Sequence, residues 1–122
     1  MIGNHIIVDI HEIPKEIFDK MAGDNYTSLH QCVSISLKKH GMNLINYSIK
    51  DFESPPGAFT SLYLLSESHL SLHSWPELGY IALDCFTCGP CDTNKLVEDI
   101  LEYLNPGKIN KKLILRGETI LS

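Results

Sequence analysis

Residues 60–88 read TSLYLLSESHLSLHSWPELGYIALDCFTC, and this stretch decides the fold. Thr60 to Glu67 reads as a strand. The pattern predicts one long strand that runs on into His69–Trp75. Pro76-Glu77-Leu78-Gly79 has turn composition. Tyr80 to Cys88 reads as the next strand, and Gly89-Pro90 breaks it. Working upstream, residues 4–12 are rich in β-branched types and predict a first strand that Pro14 ends. A polar segment with Gly23, Asp24 and Asn25 follows. Leu29, Cys32, Val33, Ser36, Leu37 and His40 then recur at three- and four-residue spacings, one face of a helix. Asn25 or Thr27 is expected to cap its start and Gly41 to stop it. Met42 to Phe52 reads as a strand, and Ser54-Pro55-Pro56-Gly57 as a loop. Downstream, Asp92 and Thr93 are good N-cap types. Leu96, Val97, Ile100, Leu101 and Leu104 mark an amphipathic helix of about three turns. Asn105-Pro106-Gly107 ends it, and Lys108 to Arg116 closes as a last strand.

Strands and helices in this order predict an α+β fold: a single antiparallel-rich β-sheet with two main helices packed on one face. The length of 122 residues fits one domain over 1–122. Four or five strands covered on one side leave a bare sheet face. A bare apolar face is an association surface, so a homo-oligomer is expected. Ten Lys plus Arg against fifteen Asp plus Glu give a net charge of −5. With no basic run, that balance argues against general nucleic-acid or anionic-membrane binding. No apolar stretch approaches the ~18 residues that span a bilayer. The first residues lack a signal-peptide pattern, so a cytoplasmic location is expected.

Three of the four cysteines cluster as Cys85-x-x-Cys88-x-x-Cys91. The spacing superficially matches half of an iron–sulfur or zinc motif. On a strand, however, Cys85 and Cys88 fall on opposite faces, and no further CxxC appears elsewhere in the sequence to complete a site. No metal centre is expected, and Cys85 reads as a small core residue. Ser68 and His73 could form a nucleophile–base pair, but Gly-x-Ser-x-Gly is absent. A Cys88–His73 pair is equally open. The residues alone leave catalysis undecided.

Taken together, Glu67-Ser68-His69, His73-Ser74-Trp75-Pro76-Glu77-Leu78-Gly79-Tyr80 and Phe86-Thr87-Cys88-Gly89 resemble the signature of the prokaryotic S-adenosylmethionine decarboxylases. Gly3-Asn4-His5, Lys39-His40-Gly41 and Arg116-Gly117 sit where similar residues sit in that family. The resemblance implies self-cleavage between Glu67 and Ser68 into a β chain (1–67) and an α chain (68–122). The Ser68 hydroxyl would attack the preceding carbonyl carbon and turn the amide into an ester. β-Elimination would break the ester and leave dehydroalanine, which hydrolyses to a covalent pyruvoyl group and ammonia. That ketone would form a Schiff base with the substrate amine and accept the electrons left by carbon dioxide.

The resemblance also implies roles by position. Ser68 is the pyruvoyl precursor. His73 matches the processing histidine, which removes the proton for β-elimination. Cys88 matches the cysteine that reprotonates the α-carbon. Thr60 stands where a serine assists processing. Glu77 matches the glutamate on the ribose hydroxyls, and Phe52 the phenylalanine on adenine. A homodimer of processed protomers, with sites near the interface, is implied as well. Three features depart from the family pattern, all in the nucleoside region. The loop Glu53–Phe59 is about two residues longer, Ser61 replaces a common glycine, and Ile49-Lys50-Asp51 lacks a histidine. A second reading is therefore a pyruvoyl-dependent arginine or ornithine decarboxylase. A third is an unprocessed, non-enzymatic binding or regulatory homologue. On a continuous strand Thr60 and Ser68 share a face. Ser68 and His73 do not, so a shared site calls for a bend or bulge near residues 68–70.

Overall fold

Strand alternation divides the sheet into a face that packs on helices and a face that does not. The structure is a computed structural model and describes residues 2–117; Met1 and residues 118–122, the ends of the expected domain, lie outside the described residues. The elements are β1 (Gly3–His11), α1 (Lys15–Gly23), α2 (Thr27–Lys39), β2 (Leu44–Asp51), β3 (Phe59–Leu65), β4 (Ser68–Trp75), β5 (Tyr80–Cys88), α3 (Thr93–Leu104) and β6 (Lys108–Arg116). The six strands form one sheet in the order β2-β3-β4-β5-β1-β6, and every neighbouring pair is antiparallel. This is the expected α+β class.

Val8 and Ile10 of β1, Leu70 and Leu72 of β4, and Ile81, Leu83 and Cys85 of β5 are buried on the helix side. Leu29, Val33 and Leu37 of α2 and Leu96, Val97, Ile100 and Leu104 of α3 join them in one core cluster. The two helices are tied by a polar bridge. The Ser36 hydroxyl donates to Asp99 Oδ2 at 2.6 Å, and His40 Nε2 lies 3.0 Å from the same oxygen.

Four expectations are corrected. The sheet has six strands, because β3 and β4 are separate strands joined by a two-residue turn at Ser66-Glu67. That turn carries neither glycine nor asparagine. The polar segment after Pro14 holds a third helix, α1, which buries Phe18 and Met21. Neither Asn25 nor Thr27 caps α2. Tyr26 occupies the N-cap with φ 62° and no side-chain cap bond, while its buried hydroxyl donates to Asp51 at 3.0 Å. Finally, β4 has no bend or bulge at residues 68–70: its pairing with β5 runs without interruption from His69 to Trp75. The Asp92 cap on α3 is as expected, accepting the Lys95 N–H at 3.1 Å.

The longer loop after β2 is seated by Gly57. A Cβ there would come within 2.6 Å of Phe18 Cβ, and its φ of +88° is in the left-handed region, where glycine is favoured.

Two stability predictions follow from this packing. Ser61 is 1% exposed, and its hydroxyl has no hydrogen-bond partner. Ser61→Ala removes an unpaired buried polar group, so chemical denaturation should show unchanged stability or a gain of up to ~1 kcal/mol. The Ser36 hydroxyl bond, then His40, holds the Asp99 carboxyl below the ordinary carboxylate range. A depressed folded pKa contributes stability above the unfolded value and loses it as pH falls through the folded one. Asp99→Ala should thus be destabilising at neutral pH, with the gap to wild type closing in acid. A gap that stays constant with pH would contradict this.

Candidate active site

The sequence motif is spread over two ends of the sheet. At one end, the turn between β3 and β4 places Glu67 at φ +59°. A left-handed conformation costs a non-glycine residue ~1–2 kcal/mol, so the peptide ahead of Ser68 starts from a strained residue. Ser68 opens β4 opposite Leu65. Its Oγ accepts the Cys88 N–H at 3.2 Å. Ser68 and Cys88 are therefore neighbours across twenty residues of chain. A backbone N–H aimed at a hydroxyl oxygen stabilises negative charge on that oxygen as its proton leaves.

Toward the other end, Thr60 pairs directly with His73 across β3 and β4. Thr60 Oγ1 and His73 Nδ1 are 3.1 Å apart, and among the described residues His73 Nε2 has no hydrogen-bond partner. The 3₁₀ turn Pro76–Leu78 carries Glu77 just beyond β4, and its carboxylate is exposed. Phe52 follows β2 at the same end. Its N–H bonds the Ala58 carbonyl at 2.9 Å, and its ring is 53% exposed. A hollow of about 340 Å³ lies beside Glu77 between Phe18 and Pro55-Pro56 of the longer loop.

The two groups do not meet within one chain. Five strand residues separate Ser68 from His73, about 16 Å at ~3.3 Å each. They also differ in face. His73 shares the open face with Thr60, whereas Ser68 has the parity of the buried Leu70 and Leu72. The expected sharing of a face by Thr60 and Ser68 is overturned, because the turn at Ser66-Glu67 reverses the chain between them.

The open face holds a polar cluster of His5, His69, Asp84 and Arg116. His5 Nε2 bonds Asp84, and Arg116 Nη1 donates to His5 Nδ1 at 3.2 Å. His69 lies alongside, with ring centroids 6.2 Å apart. Arg116 also sits 5.7 Å over the Phe86 ring. One ligand atom each from His5, His69 and Asp84 fall within 4.8 Å of one another, a spacing that a metal ion could use. The Arg116 donation decides against that reading. It makes Nδ1 the acceptor, so Nε2 carries the hydrogen and gives it to Asp84, leaving no lone pair for a cation. The signal was absent from the sequence because β1, β4, β5 and β6 become neighbours only in the sheet. Cys85 occupies the core as expected, and burial pushes its thiol up to about 12.

Comparison with known proteins agrees with this arrangement. The profile of the S-adenosylmethionine decarboxylase family matches residues 4–117. An S-adenosylmethionine decarboxylase proenzyme 2 of Bacillus cereus is 37% identical over 116 residues, covering 94% of this chain and 89% of that protein. A proenzyme of the same name from Persephonella marina is 37% identical, covering 95% of this chain and 83% of its own. One from the archaeon Methanococcus maripaludis is 36% identical, covering 95% and 90%. The crystal structure of the adenosylmethionine decarboxylase from Aquifex aeolicus superposes with a TM-score of 0.75 at 26% identity, over 96% of this chain and 95% of that one. Among the described residues, no helix is long and apolar enough to cross a membrane. With the family profile matched over residues 4–117 and relatives 36–37% identical over most of its length, the chain belongs to the S-adenosylmethionine decarboxylase family.

Proposed function

We propose that this protein is a self-processing, pyruvoyl-dependent S-adenosylmethionine decarboxylase that supplies an aminopropyl donor for polyamine synthesis. The observation that carries the reading is the Cys88 N–H on Ser68 Oγ at 3.2 Å, next to the strained Glu67. Ser68 attacks the Glu67 carbonyl carbon, the C–N bond breaks, and an ester joins Glu67 to Ser68 Oγ. Relief of the left-handed φ at Glu67 favours that exchange. Removal of the Ser68 α-proton then expels Glu67 as a carboxylate, and hydrolysis of the remaining dehydroalanine gives the pyruvoyl group. The single domain 1–122 becomes chains 1–67 and 68–122.

The pyruvoyl group supplies an electron sink for the pair left when carbon dioxide departs. Ser68 at the start of β4 suits it, since the Cys88 N–H that met Oγ remains to hold an oxygen there. The Cys88 thiol, on the open-face side of β5, is the proton donor to the α-carbon once cleavage frees the start of β4 to turn toward it. Glu77 accepts hydroxyl hydrogens of the ribose, and the exposed Phe52 ring stacks on the base. The names carried by the relatives favour this substrate over arginine or ornithine, and favour an enzyme over an unprocessed binding homologue.

The separation of Ser68 from His73 calls for a second chain. The open face exposes Ile7, Leu62, Leu64, Trp75 and Ile114, an apolar surface suited to a second sheet. A two-fold axis sets each patch against its own copy. It can set the Ser68–Cys88 end of one chain against the Thr60–His73 end of its partner. His73, steadied by Thr60, then removes the α-proton from the other chain's Ser68. A reducing cytoplasm suits four free cysteines.

Denaturing mass spectrometry of the purified protein should show fragments 1–67 and a pyruvoyl-blocked 68–122, and Ser68→Ala should leave the chain whole. Carbon dioxide should be released from S-adenosylmethionine and not from arginine or ornithine. A single uncleaved wild-type chain after prolonged incubation would overturn the reading. Co-expression of Ser68→Ala with His73→Ala tests the composite site. Random pairing makes half the dimers mixed, each with one complete site, so about a quarter of wild-type activity should return. No recovery in verified mixed dimers would place both groups in one chain.

A further inference from the structure

Cys88-Gly89-Pro90-Cys91 is a CxxC unit of which the decarboxylase reading uses only the first position. It joins the end of β5 to Asp92, the N-cap of α3. Two cysteines in this spacing ahead of a helix are the arrangement of dithiol redox motifs. Both thiols are free and half-exposed. Gly89 takes φ +86°, and with Pro90 it bends the chain. A two-residue bend can bring its flanking Cα atoms inside the ~7 Å that a disulfide requires.

The other two cysteines are set apart. Cys85 is fully buried. Cys32 lies on α2 with its thiol 3.7 Å from the Asp99 carbonyl, and burial pushes its pKa up. In the reduced chain Cys91 rests on the Gly41 carbonyl, Sγ to O 3.6 Å. A thiol is a weak donor, so that contact is readily given up. Cys88 has the open-face parity of β5, whereas Cys91 packs toward the core. Pairing therefore swings Cys91 away from Gly41 about Gly89 and Pro90.

We propose that Cys88 and Cys91 form a reversible disulfide that withdraws the Cys88 thiol from the active site. The oxidant is a low-molecular-weight disulfide. One protein thiolate attacks it, its S–S bond breaks, and one small thiol leaves. The second protein thiolate attacks the mixed disulfide at the protein sulfur and expels the other small thiol. The protein dithiol loses two electrons and the oxidant gains them, and the two protons end on the released thiols. The effect on activity rests on the role proposed above for Cys88; formation of the disulfide does not.

The test treats the purified enzyme with oxidised glutathione and reads mass and activity in parallel. The fragment bearing residues 68–122, or the whole chain if uncleaved, should lose about 2 Da and carry no glutathione. Alkylation under denaturing conditions followed by tandem mass spectrometry should find Cys85 modified and Cys88 linked to Cys91. Activity should fall about tenfold or more and return with dithiothreitol. Cys91→Ser should keep its basal activity, gain a glutathione adduct on Cys88 and show no 2 Da loss. Only glutathione adducts on the wild type, or a link through Cys85, would overturn the proposal. A complete Cys88–Cys91 disulfide with unchanged activity would instead refute the catalytic role of Cys88.

Discussion

The burial of Leu70 and Leu72 beneath the helices is the constraint on which the rest depends. Both are fully buried, and each contributes about 1.5–3 kcal/mol of burial free energy. Strand side chains alternate, so a slip of one residue would expose both leucines and push His69, Ser71 and His73 into the core. The register of β4 is thereby pinned. Its pairing with β3 sets Thr60 opposite His73, and its pairing with β5 sets His69 opposite Phe86. His69, Ser71 and His73 face outward because the leucines between them cannot.

The same register separates the motif into two groups. β4 runs from the Ser68–Cys88 end to the Glu77 end, and an extended strand cannot fold back on itself. A bulge would shorten the path, but the β4–β5 ladder has none. The chain thus carries two incomplete constellations on one sheet, with an open apolar face between them. The Arg116–His5–Asp84 chain of contacts lies on that face near the Ser68 end. It places a fixed dipole and a guanidinium close to the predicted cleavage point in a protein whose net charge is otherwise −5.

Local backbone strain is held at the β3–β4 turn. A two-residue hairpin favours positive φ at both central residues, with glycine or asparagine present. Here Ser66 and Glu67 make the turn, and Glu67 takes φ +59°. The side chain of Asn43 donates to Ser66 Oγ at 3.1 Å and the Ser66 N–H bonds the Asn43 carbonyl. The start of β2 thereby anchors a turn that its own residues do not favour. The peptide ahead of Ser68 thus follows a residue held in the left-handed region.

Much of this was legible in the residues. β-Branched runs and their breakers marked the strands, the three- and four-residue spacing marked α2 and α3, and the family resemblance of the motif from Glu67 to Gly89 implied Ser68, His73 and Cys88 together. Those signals are local, carried by side-chain chemistry at short separations. The hairpin at Ser66-Glu67 was hidden because no glycine, asparagine or proline marks it. The helix α1 was hidden because only Ile17, Phe18 and Met21 mark it, and their burial depends on the loop around Gly57. The polar cluster of His5, Asp84 and Arg116 required the neighbour order β5-β1-β6. Which motif residues meet was likewise a tertiary decision. Sequence spacing counts residues, whereas contact depends on strand direction, parity and reach. Those put Cys88 beside Ser68 from twenty residues away, and kept His73 apart from it at five.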